Sequence, residues 1–139
     1  MQQEDYIKRQ IDQLGQVLGK ILAYLSGSGT SGTVGEGFQA VDQALKEEIG
    51  MNVSELVAIP ADQFIQFITE TRMLNADNLE QLADLFYLLG VECDKVIDEN
   101  QPAQKFYERS LMMYEQVEET SSTYSFDRHL RMKEIKTLL

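Results

Sequence analysis

The chain has 139 residues, a formal charge of −11, 43% hydrophobic residues and one cysteine. Its length fits a single domain with a real core, its apolar content excludes global disorder, and a lone Cys93 excludes an internal disulfide or a cysteine-rich zinc site. Residues 36–119 hold 18 acids against five bases, whereas the two ends together hold seven bases against five acids. Such a field repels nucleic-acid phosphates and anionic lipid heads, so neither nucleic acid nor a membrane is an expected partner, and a basic segment is. The opening Met-Gln-Gln-Glu-Asp lacks the basic start and apolar run of a signal peptide. No stretch is long and apolar enough to suggest a membrane span. A reducing, cytoplasmic location is the expectation.

From the N-terminus, Ile7, Ile11, Leu14, Leu18, Ile21, Leu22 and Leu25 recur at steps of three and four, predicting an amphipathic helix over 5–25. Ser26 to Gly37 reads SGSGTSGTVGEG, a flexible linker in composition. It is not a phosphate-binding loop, because no lysine follows its glycines to reach a phosphate. Phe38, Val41, Ala44, Leu45 and Ile49 predict a second helix that stops near Gly50. Asn52 or Ser54 can cap a short third helix through Val53–Ala58. Pro60 can start a fourth, with Phe64, Ile65, Phe67 and Ile68 on its apolar side.

Asn75 suits the cap of a long helix over 76–99, whose stripe is Leu79, Leu82, Phe86, Leu89, Cys93, Val96 and Ile97. Asn100-Gln101-Pro102 reads as a turn. The next helix, from Pro102 toward Glu119, uses Ala103, Phe106, Tyr107, Ser110, Leu111, Tyr114 and Val117. After the polar gap Thr120–Thr123, Ser125 can cap a last helix over 126–138, with Phe126, Leu130, Ile135 and Leu138 as its apolar residues. No alternating strand pattern occurs. The expected fold is all-α, one domain over 1–139, built of antiparallel helical hairpins in a right-handed superhelix or compact bundle of about six or seven helices.

One short pattern is written twice. Ile11-x2-Leu14-Gly15-x2-Leu18 recurs as Phe86-x2-Leu89-Gly90-x2-Cys93. Both place large apolar residues and a glycine on one helix face, where the glycine admits a second helix at close range. The hairpin over 76–117 resembles a tetratricopeptide-type repeat. Phe86, Leu89 and Gly90 match its first helix, and Ala103, Tyr107 and Ser110 match the alanine, aromatic and small positions of its second. Cys93 stands where the family has an aromatic, and the terminal proline is missing. The first hairpin fits through Ile11, Leu14, Gly15 and Leu18. Its second helix fits only through Ala40 and Ala44, and the Gly/Ser run breaks the unit.

The chain as a whole is also similar to a family of small bacterial proteins with tetratricopeptide-like folds and no assigned activity. The shared features are the opening Gln-Glu-Asp-Tyr-Ile with its Gln-Leu-Gly, the Leu-Ala-Asp-Leu at 82–85, and Phe106-Tyr107-Glu108. The resemblance implies partner binding along the inner face of each first helix. In this sequence that face comprises Asp84, Tyr87, Val91 and Asp94, with Arg9, Asp12 and Gln16 in the first hairpin. Family members that grip a terminal carboxylate carry lysine and asparagine there. The acids here point to a basic or mixed protein or peptide segment instead.

Catalytic chemistry finds little to work with. His129, the only histidine, lies between Arg128 and Arg131 in the last helix, a setting typical of surface or packing. Cys93 sits on an apolar stripe beside Glu92 and Asp94, which oppose thiolate formation. Asp94 and Asp98 share a helix face and could meet a cation, but no calcium loop or di-iron pattern accompanies them. No cofactor and no metal are expected. The leading expectation is a non-catalytic interaction module. The alternatives are an enzyme or metal protein using clustered carboxylates, and a self-associating structural protein. The basic last helix suits docking on the acidic middle of the same or another chain.

Overall fold

The computed structural model describes residues 42–43, 45–47, 50–71, 76–95 and 103–139. The 5–25 helix, the 26–37 linker and the whole inner face assigned to the first hairpin lie outside these residues. Every described element is helical, and the helices pack on one another as an all-α bundle. Helical residues at 42–43 and 45–47 precede Gly50, whose N–H donates to the Leu45 and Lys46 carbonyls, both at 3.1 Å, and whose φ is 85°. That left-handed stop is open to glycine at little cost.

Helix α1, Val53–Ala58, begins with a reciprocal cap. Asn52 Oδ1 accepts from the Glu55 N–H at 2.8 Å, and Glu55 Oε1 accepts from the Asn52 N–H at 3.3 Å. Helix α2, Ala61–Gln66, follows Pro60 and passes directly into a π-helical segment, Phe67–Thr71. Within that segment the Thr69 hydroxyl donates to the Ile65 carbonyl at 2.7 Å, a side-chain back-bond of the kind that bends helices.

Helix α3, Ala76–Lys95, and helix α4, Ala103–Thr120, form the most extensive contact among the described residues. Leu79, Leu82, Leu85, Phe86 and Leu89 of α3 are buried against Phe106, Met113, Tyr114 and Val117 of α4. Phe86 meets Phe64 at 6.3 Å and Phe106 edge-on at 5.9 Å, which ties α2 to the hairpin. The glycine of the Leu-Gly pair does what its size suggests. A Cβ at Gly90 would lie 2.6 Å from Tyr107 Cε1, so the Tyr107 ring occupies the space a side chain would need. Ser110, fully buried, donates to the Ala83 carbonyl at 2.6 Å, closing the same seam one turn on.

Helix α5, Phe126–Leu138, starts at Ser125, whose hydroxyl accepts from the Arg128 N–H at 3.2 Å. It packs on α4, and its Arg128, Arg131 and Glu134 meet Glu80 and Tyr87 of α3. Its buried face differs from the apolar set read in the sequence. Ile135 is fully buried, but Phe126, Leu130 and Leu138 are 62%, 48% and 41% exposed. Arg128 takes the inward position. Its charge is held by Glu118 and Glu80, and this pairing rotates the other apolar residues outward. Burying Ile135 supplies about 1.5–3 kcal/mol, a thin apolar anchor for a 13-residue helix.

Candidate functional site

On α3 the residues Glu80, Asp84, Tyr87, Val91 and Asp94 follow one another at steps of four and three, so they line one face of the helix. Asp84 and Val91 are half-buried, Tyr87 is 9% exposed and Asp94 is exposed. Both α4 and α5 contact the stripe, α4 at Asp84 and Asp94 and α5 at Glu80 and Tyr87. From α4, the Tyr114 hydroxyl donates to Asp84 Oδ1, and the Tyr107 hydroxyl donates to Asp94 Oδ2 at 2.6 Å.

From α5, three residues spaced by three act along the stripe. Arg128 donates through Nη1 to Glu80 at 3.3 Å and through Nε to Glu118 at 2.6 Å. Its Nη2 donates to the Thr123 carbonyl at 2.9 Å. The Arg131 guanidinium lies over the Tyr87 ring, 4.0 Å from its centroid, a cation–π contact. Glu134 Oε1 accepts from the Tyr87 hydroxyl at 2.7 Å, and its other oxygen is 3.9 Å from Arg131 Nε. The Tyr87 ring is also 6.0 Å from the Tyr107 ring.

The electrostatics follow from this burial. Desolvation raises the Asp84 pKa above its ordinary 3.8, opposed by the Tyr114 hydroxyl and by Arg131. Burial, followed by the Glu134 hydrogen bond, raises Tyr87. Burial also raises Tyr107 and Tyr114 well above 10.0, assisted by Asp94 and Asp84. Burial alone would lower Arg128, but the Glu118 and Glu80 carboxylates outweigh it and its pKa rises. Each of the three tyrosine hydroxyls donates to a carboxylate oxygen of Glu134, Asp94 or Asp84.

Of the six residues read as a binding face, the structure brings Asp84, Tyr87, Val91 and Asp94 together on α3. Arg9 and Asp12 lie outside the described residues. Glu80 was missed, although the same spacing carried one step toward the N-terminus reaches it. Arg128, Arg131 and Glu134 were missed as stripe contacts. Their spacing by three was visible in the sequence, but the partner helix was not. Cys93 is buried and His129 is exposed, its ring 6.0 Å from that of Tyr124. Among the described residues, no three of His, Cys, Asp and Glu gather as a metal site requires, and no helix is long and apolar enough to cross a membrane. No family model matches the chain, and neither does any curated protein or solved structure.

Proposed function

We propose that the chain is a non-catalytic, tetratricopeptide-like interaction module that binds a protein or peptide segment of basic or mixed charge along the α3 stripe. One observation carries this reading: a basic helix, α5, already lies on that stripe, with arginines at Glu80 and over the Tyr87 ring. A carboxylate that meets a guanidinium and an aromatic face that meets another are recognition chemistry, and here they lie side by side. The acidic middle of the chain adds a long-range attraction for basic partners.

The test is affinity capture of the tagged full chain from its native extract, followed by mass spectrometry. Wild type is compared with Tyr87→Ala/Asp94→Lys and with Glu115→Lys, which changes an exposed residue of α4. The expected result is a partner held by wild type and by Glu115→Lys and lost by the double variant, with helical content unchanged in all three. Loss of the partner from both variants, or from neither, rejects the stripe as the binding face.

A second reading, self-association, is favoured by a separate observation. The large hydrophobic residues left exposed among the described residues are Tyr124, Phe126, Leu130, Leu138 and Leu139, all on or beside α5. Sedimentation equilibrium on wild type and Leu130→Glu decides it. A dimer that the substitution dissociates supports the reading, and a monomer at all concentrations rejects it.

A further inference from the structure

We infer that α5 is a detachable strap that occupies the binding face in cis, and that the segment bound in trans is a helix of the same chemistry: two basic residues one turn apart that displace Arg128 and Arg131. The inference rests on the interaction reading above and adds the partner's pattern and the means of regulation.

Three features of the strap support it. Its hold on the body is mostly polar: Arg128 to Glu80 and Glu118, Arg131 over Tyr87, and Glu134 to the Tyr87 hydroxyl. Only one of its large aliphatic residues, Ile135, is fully buried, while Leu130 and Leu138 face solvent. It joins α4 through residues 121–125, a non-helical connection tied by the Ser121 N–H to the Val117 carbonyl at 2.8 Å, the His129 N–H to the Ser125 carbonyl at 3.0 Å, and Arg128 Nη2 to the Thr123 carbonyl at 2.9 Å, the last a bond of the latch itself. A short helix with few buried apolar contacts, tethered by a turn, belongs to the part of a fold that opens before the rest. The body left behind keeps its own core, because α2, α3 and α4 bury Phe64, Phe86 and Phe106 among themselves. The opened seam would expose Glu80, Glu118 and the Tyr87 face together, a set complementary to arginine.

The probe is a fluorescein-labelled synthetic peptide of residues 124–139, titrated by anisotropy against the full chain as wild type and as Arg128→Met. The substitution keeps bulk at the inward position and removes the latch. The expected result is binding to Arg128→Met about tenfold or more tighter than to wild type, abolished by adding Glu80→Lys and weakened by salt. Equal affinity for wild type and Arg128→Met, or no binding to either, overturns the inference. A second measurement needs no variant: brief trypsin treatment of wild type. Cuts after Arg128 and Arg131 that precede any cut at Lys105 or Arg109 support a strap that opens alone, and simultaneous cuts at all four overturn it. The two proposals fail separately. A captured partner lost with Tyr87→Ala/Asp94→Lys, together with a peptide that never binds, removes the strap and leaves the interaction module. A peptide that binds the loosened chain, with no partner captured, removes the module's external partner and leaves the strap.

Discussion

The α3–α4 hairpin and helix α5 are held to the molecule by opposite means. Between α3 and α4 the contact is apolar and shape-matched: leucines, an edge-on Phe pair and a glycine that seats the Tyr107 ring. Between α5 and its supports the contact is a buried arginine, a cation–π pair and a tyrosine–carboxylate bond, with Ile135 as the main apolar anchor. Apolar packing carries no charge for salt to screen, whereas pairs between an arginine and partly exposed acids weaken as salt rises. The body is thus suited to persist and α5 to move.

The largest effect should come from Phe86→Ala. Removing a fully buried ring that touches both Phe64 and Phe106 is expected to cost about 3–5 kcal/mol and to lower the urea midpoint followed at α3, α4 and α5 alike. If only α5 responded, the hairpin would not be the body of the fold. Arg128→Met should cost less, about 1–2 kcal/mol, because Glu80 and Glu118 remain about a third exposed and can rehydrate. Its signature is local: loss of order in α5 with the hairpin's unfolding midpoint nearly unchanged.

Gly90→Ala is next. Overpacking against Tyr107 costs about 1–3 kcal/mol, partly offset by the roughly 1 kcal/mol that alanine gains over glycine inside a helix. The net loss, read by urea unfolding, should shrink when Tyr107→Leu is combined with it, a non-additivity that marks direct contact.

The smallest effect is Asp84→Asn, and its value lies in its pH dependence. The folded pKa of Asp84 is raised, so its contribution to stability is full below 3.8 and is lost as pH rises through the raised value. Asparagine keeps an acceptor for the Tyr114 hydroxyl and carries no charge. The stability of the variant relative to wild type should therefore rise between pH 3 and pH 7. A constant difference would show that the carboxylate of Asp84 is not penalised by burial.

Much of the hairpin was legible in the sequence, because its determinants are local and periodic. The Phe86, Leu89, Gly90 spacing placed α3, Tyr107 and Ser110 placed α4, Ser125 marked one helix start, and of the two candidate caps Asn52 and Ser54 the structure uses Asn52. The π-helical segment at Phe67–Thr71 was not legible, since the apolar spacing there suits a regular helix. The orientation of α5 was misread for a related reason. Counting apolar residues turned Phe126, Leu130 and Leu138 inward, whereas the acids Glu80 and Glu118, distant in sequence, draw Arg128 in their place. The α3 stripe could be drawn from its spacing, and the charge of the last helix suited docking on the acidic middle of the same or another chain, but the pairing of Arg128 with Glu80 and of Arg131 with Tyr87 could not be read, because it depends on how the fold brings α5 against α3.

The most direct test of the account is site-resolved amide hydrogen exchange on the intact wild-type chain at low and at high salt. The account predicts that amides in 126–138 exchange at least about tenfold faster than those in the centres of α3 and α4, with the gap widening as salt screens the pairs of Arg128 and Arg131. Equal protection of the three helices, unchanged by salt, would show that α5 opens only when the whole domain unfolds, and would contradict it.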